Sequence, residues 1–157
     1  MIALDTDVLV RCLTLDDPRQ VPAAKALLAH GGGVFVAKTV LLELEWVLRA
    51  AYQLTRPGIH STLGKLLGLP NLTMESPGQV RQALDGYALG LDFADALHLA
   101  ASPADEGLFT FDARFASVAT AAGHSVHVAG ALRGRAGKRG GKAGSAPCAS
   151  SSRSISR

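Results

Sequence analysis

Residues 1–11 read MIALDTDVLVR: an apolar run, two aspartates flanking a threonine, and a second apolar run. Residues 2 to 5 have the composition of a short buried strand that ends at Asp5, and Val8 to Leu13 can continue as a helix. Working outward, "DDPRQVPAAKALLAHGGG" reads as a helix that starts with Asp16 or Asp17 before Pro18 and stops at the glycines from Gly31 onward. "VFVAKTV" is a short β-rich run. "LLELEWVLRAAYQL" follows it, with Leu41, Leu44, Val47, Leu48 and Ala51 on one face at helical period. A further helix is expected in "TRPGIHSTLGKLLGLP", a strand in "NLTME", and a helix in "SPGQVRQALDGYALG" with Ser76 as cap. "LDFADALHLAA" reads as helix, "GLFTFD" as strand, "ARFASVATAAG" as helix and "HSVHVAG" as a last strand. Strands separated by helices throughout predict an α/β domain with a mostly parallel central sheet covered on both faces.

The chain has 157 residues and 48% hydrophobic content, enough for one domain with a real core and too little for two comfortable ones. No apolar run approaches the ~18 residues of a membrane span, and no basic region precedes the first apolar segment. A cytoplasmic location is therefore the expectation. Two cysteines, Cys12 and Cys148, show neither metal-ligand spacing nor the density of a disulfide framework. The formal charge of +3 is misleading, because residues 133 to 157 hold seven of the 16 basic residues and no acid. The body carries nine basic against 13 acidic residues and is acidic, at −4. The domain is expected over residues 1 to 132. The segment 133 to 157 has one branched aliphatic, Ile155, among Gly, Ala, Ser and basic residues, and reads as a disordered basic tail.

In an open parallel α/β sheet, one crevice collects the residues at the carboxyl ends of strands and in the first turns of the following helices. That rule selects Asp5, Glu43, Asp95 and Asp112. Four carboxylates in one crevice would be driven toward protonation unless a cation sat among them. Acidic oxygens without neighbouring His or Cys suit Mg²⁺ or Mn²⁺ better than Zn²⁺, and such a site supports metal-assisted phosphodiester hydrolysis. Each acid also has a structural role open to it. Asp5 and Asp92 fit helix N-caps, Asp95 would then sit at the third helical position, and Asp112 suits a turn after a strand. Glu45 stands four before Arg49, the favourable order for a solvated ion pair, so Glu43 is assigned to the site and Glu45 to the surface. His98 reads as packed or hydrogen-bonded, and Thr6 and Thr110 as common strand-end hydroxyls. Lys38, Arg49 and Arg114 lie near these elements and are candidate phosphate contacts or ordinary solvated charges.

Four segments, "IALDTDVLVR", "VLLELEWVLR", "LDFADALHLAA" and "LFTFDARFA", occur in the order and spacing of a PIN-domain ribonuclease of the VapC toxin type, which the chain resembles over about residues 1 to 130. The resemblance implies a three-layer α/β/α sandwich and a Mg²⁺- or Mn²⁺-dependent endoribonuclease that leaves a 5′-phosphate and a 3′-hydroxyl. It also implies a cognate antitoxin as partner and a homodimer. Its acidic quartet falls on Asp5, Glu43, Asp95 and Asp112, as metal ligands and catalytic residues. Many relatives carry Asn where this chain has Asp7, and the basic tail lies outside the resemblance.

Two other readings remain open on sequence. "LDTDVLV" also fits the first motif of haloacid-dehalogenase-like phosphatases, with Asp5 as nucleophile and Asp7 as general acid, although the later segments supply no matching lysine. A catalytically inactive domain that binds RNA or a protein through the same crevice is the non-enzymatic alternative.

Overall fold

The computed structural model describes residues 1–103, 105 and 107–130, and the expected basic tail lies outside them. The elements run in the expected order: β1 (Ile2–Ala3), α1 (Thr6–Thr14), α2 (Val21–Leu28), β2 (Val34–Val36), α3 (Lys38–Ala50) and α4 (Arg56–Leu67). They continue with β3 (Leu72–Met74), α5 (Pro77–Ala88), α6 (Phe93–Ala101), β4 (Leu108–Thr110), α7 (Ala113–Ala121) and β5 (Val126–Val128). Every strand pairing is parallel, in a three-stranded sheet ordered β1-β2-β3 and a two-stranded sheet of β4 and β5. Parallel strands need crossovers, and helices supply each one. The result is an α/β sandwich.

The register aligns Ile2 with Val34, and Val34 with Leu72, so the strand ends that precede α1 and α3 lie side by side. Leu9 of α1, Val34 and Val36 of β2, and Leu41, Leu44 and Leu48 of α3 are at most 1% exposed. Ile59 and Leu63 of α4, Val80 of α5 and Phe93 of α6 complete the same core. Burying each such side chain stabilises the fold by about 1.5–3 kcal/mol relative to leaving it in water. Gly86 of α5 is buried against α6 and the loop before it. A Cβ there would stand 3.1 Å from Leu91 and 3.4 Å from Ala96. Tyr87, next in sequence, meets Phe93 edge to face at a centroid separation of 5.6 Å.

Four local expectations are corrected. Helix α1 starts at Thr6, with Asp5 as its N-cap accepting from the Val8 amide at 3.0 Å, so the first strand is shorter than residues 2 to 5. The second helix starts at Val21 and not at Pro18. The Asp17 carboxylate accepts from the Arg19 amide, and the chain turns once before the helix begins. "VFVAKTV" is strand only to Val36. Helix α3 takes over at Lys38, whose amide donates to Glu75 Oε2 at 2.9 Å, a cap delivered from the end of β3. Ser76 does occupy the N-cap position of α5, but at φ 47° and with no side-chain capping bond.

Candidate active site: carboxylates at the helix starts

Asp5, Asp92 and Asp112 are the N-caps of α1, α6 and α7. Each side chain accepts from an amide of its own first turn: Val8 at 3.0 Å, Ala94 at 2.9 Å and Phe115 at 2.9 Å. The positive end of a helix dipole favours a carboxylate at each place. The cap engages one carboxylate oxygen in each case. The Asp112 amide donates in turn to Thr110 Oγ1 at 3.0 Å, so the last residue of β4 positions the acid that follows it.

Asp92, Asp95 and Asp112 line one cleft of about 210 Å³, together with Arg56 and Arg114. Asp95, in the first turn of α6, is half-buried. Burial first, and then the charges of Asp92 and Asp112, push its carboxyl upward from its ordinary value, with His98 pulling it down. The three acids therefore feel one another. His98, expected to be packed or hydrogen-bonded, is exposed and so not packed; its backbone carbonyl accepts from the Ser102 hydroxyl.

Glu43 is exposed on α3 and lies in a neighbouring depression with Trp46, Arg49 and Asp92. Asp92 borders both hollows. The Thr6 hydroxyl, buried just after Asp5, donates to Glu43 Oε2 at 2.6 Å. That bond ties the start of α1 to α3. Asp5 itself opens on a third hollow with Asp7, Arg11 and Arg19. The structure thus brings Asp95 beside Asp112, and Glu43 to the residue next to Asp5. Among the described residues, no three His, Cys, Asp or Glu side chains stand close enough in this geometry to hold a metal ion.

Glu45 departs from expectation. It pairs with Arg49, whose Nε donates to Oε1 at 2.9 Å, but it is 2% exposed and not on the surface. Its Oε1 also accepts from the Tyr87 hydroxyl at 3.0 Å. The Tyr87 phenol is pushed up to about 12, first by burial and then by that bond to Glu45.

Sequence reasoning missed Arg56. It sits at the start of α4, where a cation opposes the helix dipole, and that misplacement was the available signal. Its Nη1 donates to the carbonyls of Tyr87 and Leu91, and its guanidinium lies over the Tyr87 ring at 4.2 Å. These contacts hold a positive charge at the wall of the acidic cleft. Of the cations considered from sequence, Arg114 lines the same cleft and Arg49 lies beside Glu43, while Lys38 is engaged with Gln79.

The family model described as PIN domain matches residues 2–121, most of the chain, and the chain belongs to that family. No curated protein and no solved structure matches it. PIN domains are in general metal-dependent nucleases, so a nuclease of the hydrolase class is the activity its family carries. The phosphatase reading of "LDTDVLV" falls with that membership. No helix among the described residues is long and apolar enough to cross a membrane.

Proposed function

We propose, from its membership of the PIN family, that this chain is a Mg²⁺- or Mn²⁺-dependent endoribonuclease and the toxin of a toxin–antitoxin pair. The observation that carries the nuclease reading is the single cleft lined by Asp92, Asp95 and Asp112, where burial and then the two neighbouring charges push the half-buried Asp95 carboxyl upward. Mutual repulsion of that kind is relieved by a divalent cation, and an all-carboxylate donor set suits a hard one. Asp5, Glu43, Asp95 and Asp112 would hold it. A bound divalent ion lowers the pKa of water and polarises a phosphoryl oxygen.

The chain's own groups supply the rest. Caps fix Asp5 and Asp112 through one oxygen each, and the Thr6 hydroxyl aims the Glu43 carboxylate. Arg56 and Arg114, on the wall of the same cleft, face the phosphodiester and offset part of its charge. The toxin assignment rests on the four segments that resemble VapC-type proteins, with an antitoxin covering the crevice and a second copy completing a homodimer.

Purified protein is expected to cleave RNA with Mg²⁺ or Mn²⁺, to leave 5′-phosphate ends, and to stop on chelation. Asp95→Asn should abolish cleavage. Equal rates for the variant and the wild type would overturn the site assignment. Binding of RNA that never leads to cleavage with either metal would favour the inactive binding domain. Growth arrest on expression that Asp95→Asn relieves would support the toxin role.

A further inference from the structure

Trp46 is the only tryptophan in the chain, and it is 58% exposed. An indole presents a large apolar face that gains most when covered. It stands on α3 one turn after Glu43, in the depression that also holds Asp92 and Arg49. The helix that carries it cannot turn freely, because Glu45 is bonded into the core by Tyr87. Trp46 is therefore presented at a fixed place beside the candidate carboxylates.

The surroundings limit what can cover the ring. A protein partner seated on Trp46, as proposed for the antitoxin, has to answer Glu43 and Asp92 with cations of its own, whereas the RNA substrate must pass this place to reach Glu43. A bare phosphate chain is repelled by the same two acids. A nucleobase is flat and uncharged, and it can lie on the indole while its sugar and phosphate stay in water at the rim. Arg49 stands at that rim with its Nε fixed on Glu45 Oε1 at 2.9 Å. Inside a duplex both faces of a base are covered by the neighbouring pairs, so such a platform takes unpaired nucleotides.

We propose that Trp46 is a base-stacking platform that positions an unpaired nucleotide of the RNA next to the phosphodiester being cut. The assignment deepens the nuclease reading and rests on it. Stacking on an aromatic side chain does not depend on base identity and adds affinity independent of the backbone charge.

Because the chain has a single tryptophan, its intrinsic emission reports on Trp46 alone. The full chain carrying Asp112→Asn, in which cleavage is expected to fall by about 100-fold or more, is titrated in Mg²⁺ with a short single-stranded oligoribonucleotide and with the same strand in a duplex. Emission should be quenched saturably by the single strand, in step with the anisotropy of the labelled RNA, and much less by the duplex. In the otherwise wild-type chain, Trp46→Ala should raise KM by roughly 5- to 150-fold, the range of one lost stacking contact, and Trp46→Phe should recover part of it. Thermal stability should change little, since the ring is largely in water. Emission unmoved while anisotropy shows binding would overturn the proposal, as would Trp46→Ala cleaving with wild-type KM. A blue shift that grows with protein concentration in the absence of RNA would overturn it in favour of a second copy covering the ring. Failure of the wild type to cut any RNA would refute the nuclease reading instead, and the quenching titration would still decide the role of Trp46.

Discussion

Replacing Asp112 separates two duties that one side chain performs. Its Oδ1 caps α7 by accepting from the Phe115 amide at 2.9 Å, and its charge is one of those that raise Asp95. Asparagine ranks with aspartate as an N-cap and keeps an oxygen at that position. Asp112→Asn loses a charge–dipole attraction of about 0.3–1 kcal/mol and also removes a repulsion on Asp95, two changes of opposite sign. The net effect on stability should lie within about 0.5 kcal/mol, or about 2 °C in Tm for a domain of this size. Alanine has no acceptor. Asp112→Ala should cost about 1 kcal/mol and lower Tm by about 3–5 °C. Cleavage should fall in both variants by about 100-fold or more, since each removes a full charge from a site whose stabilisation is worth several kcal/mol. The assays are a thermal melt and an RNA cleavage time course on the same preparations. An Asn variant that cuts at the wild-type rate would show that Asp112 is a cap and nothing else.

Two further outcomes follow from buried charge. Glu45→Gln keeps an acceptor for the Tyr87 hydroxyl but loses the ion pair with Arg49, and should lower unfolding stability by about 1 kcal/mol in a denaturant titration, whereas Glu45→Ala strands both partners and should cost about twice that. Asp95 has a raised folded-state pKa, so its favourable contribution is complete below the ordinary value of 3.8 and is lost as pH rises through the folded value. In metal-free buffer at neutral pH, Asp95→Asn should therefore melt higher than wild type, with the gap closing as pH falls toward about 4. Added Mg²⁺ should raise the Tm of the wild type more than that of the variant, and equal shifts would argue against a cation near Asp95.

Local pattern made most of this molecule readable. The 3.6-residue period of α3 separated Glu43 from Glu45 by placing only the latter over Arg49, and Asp92 was recognisable as the cap that puts Asp95 in the first turn of α6. What local pattern could not supply was distance across the chain. Glu45 reads as a surface residue until Tyr87, 42 positions later, buries it. Thr6 was one hydroxyl among many until α3 brought Glu43 to it, and the cap of α3 comes from Glu75, just past the end of β3. The start of α2 was misplaced because Asp17 forms its own turn, a competition that Pro18 next to it conceals.

The coincidence of helix cap and proposed metal ligand at Asp5 and Asp112 has an evolutionary consequence. Aspartate and asparagine codons differ by a single base, and at an N-cap the exchange leaves the fold almost untouched. A lineage can therefore lose cleavage in one mutational step, with no penalty in solubility or abundance to purge it. Descendants silenced this way would keep the crevice intact, and selection could recruit them as inert decoys for whatever ligand or inhibitor the active form once met.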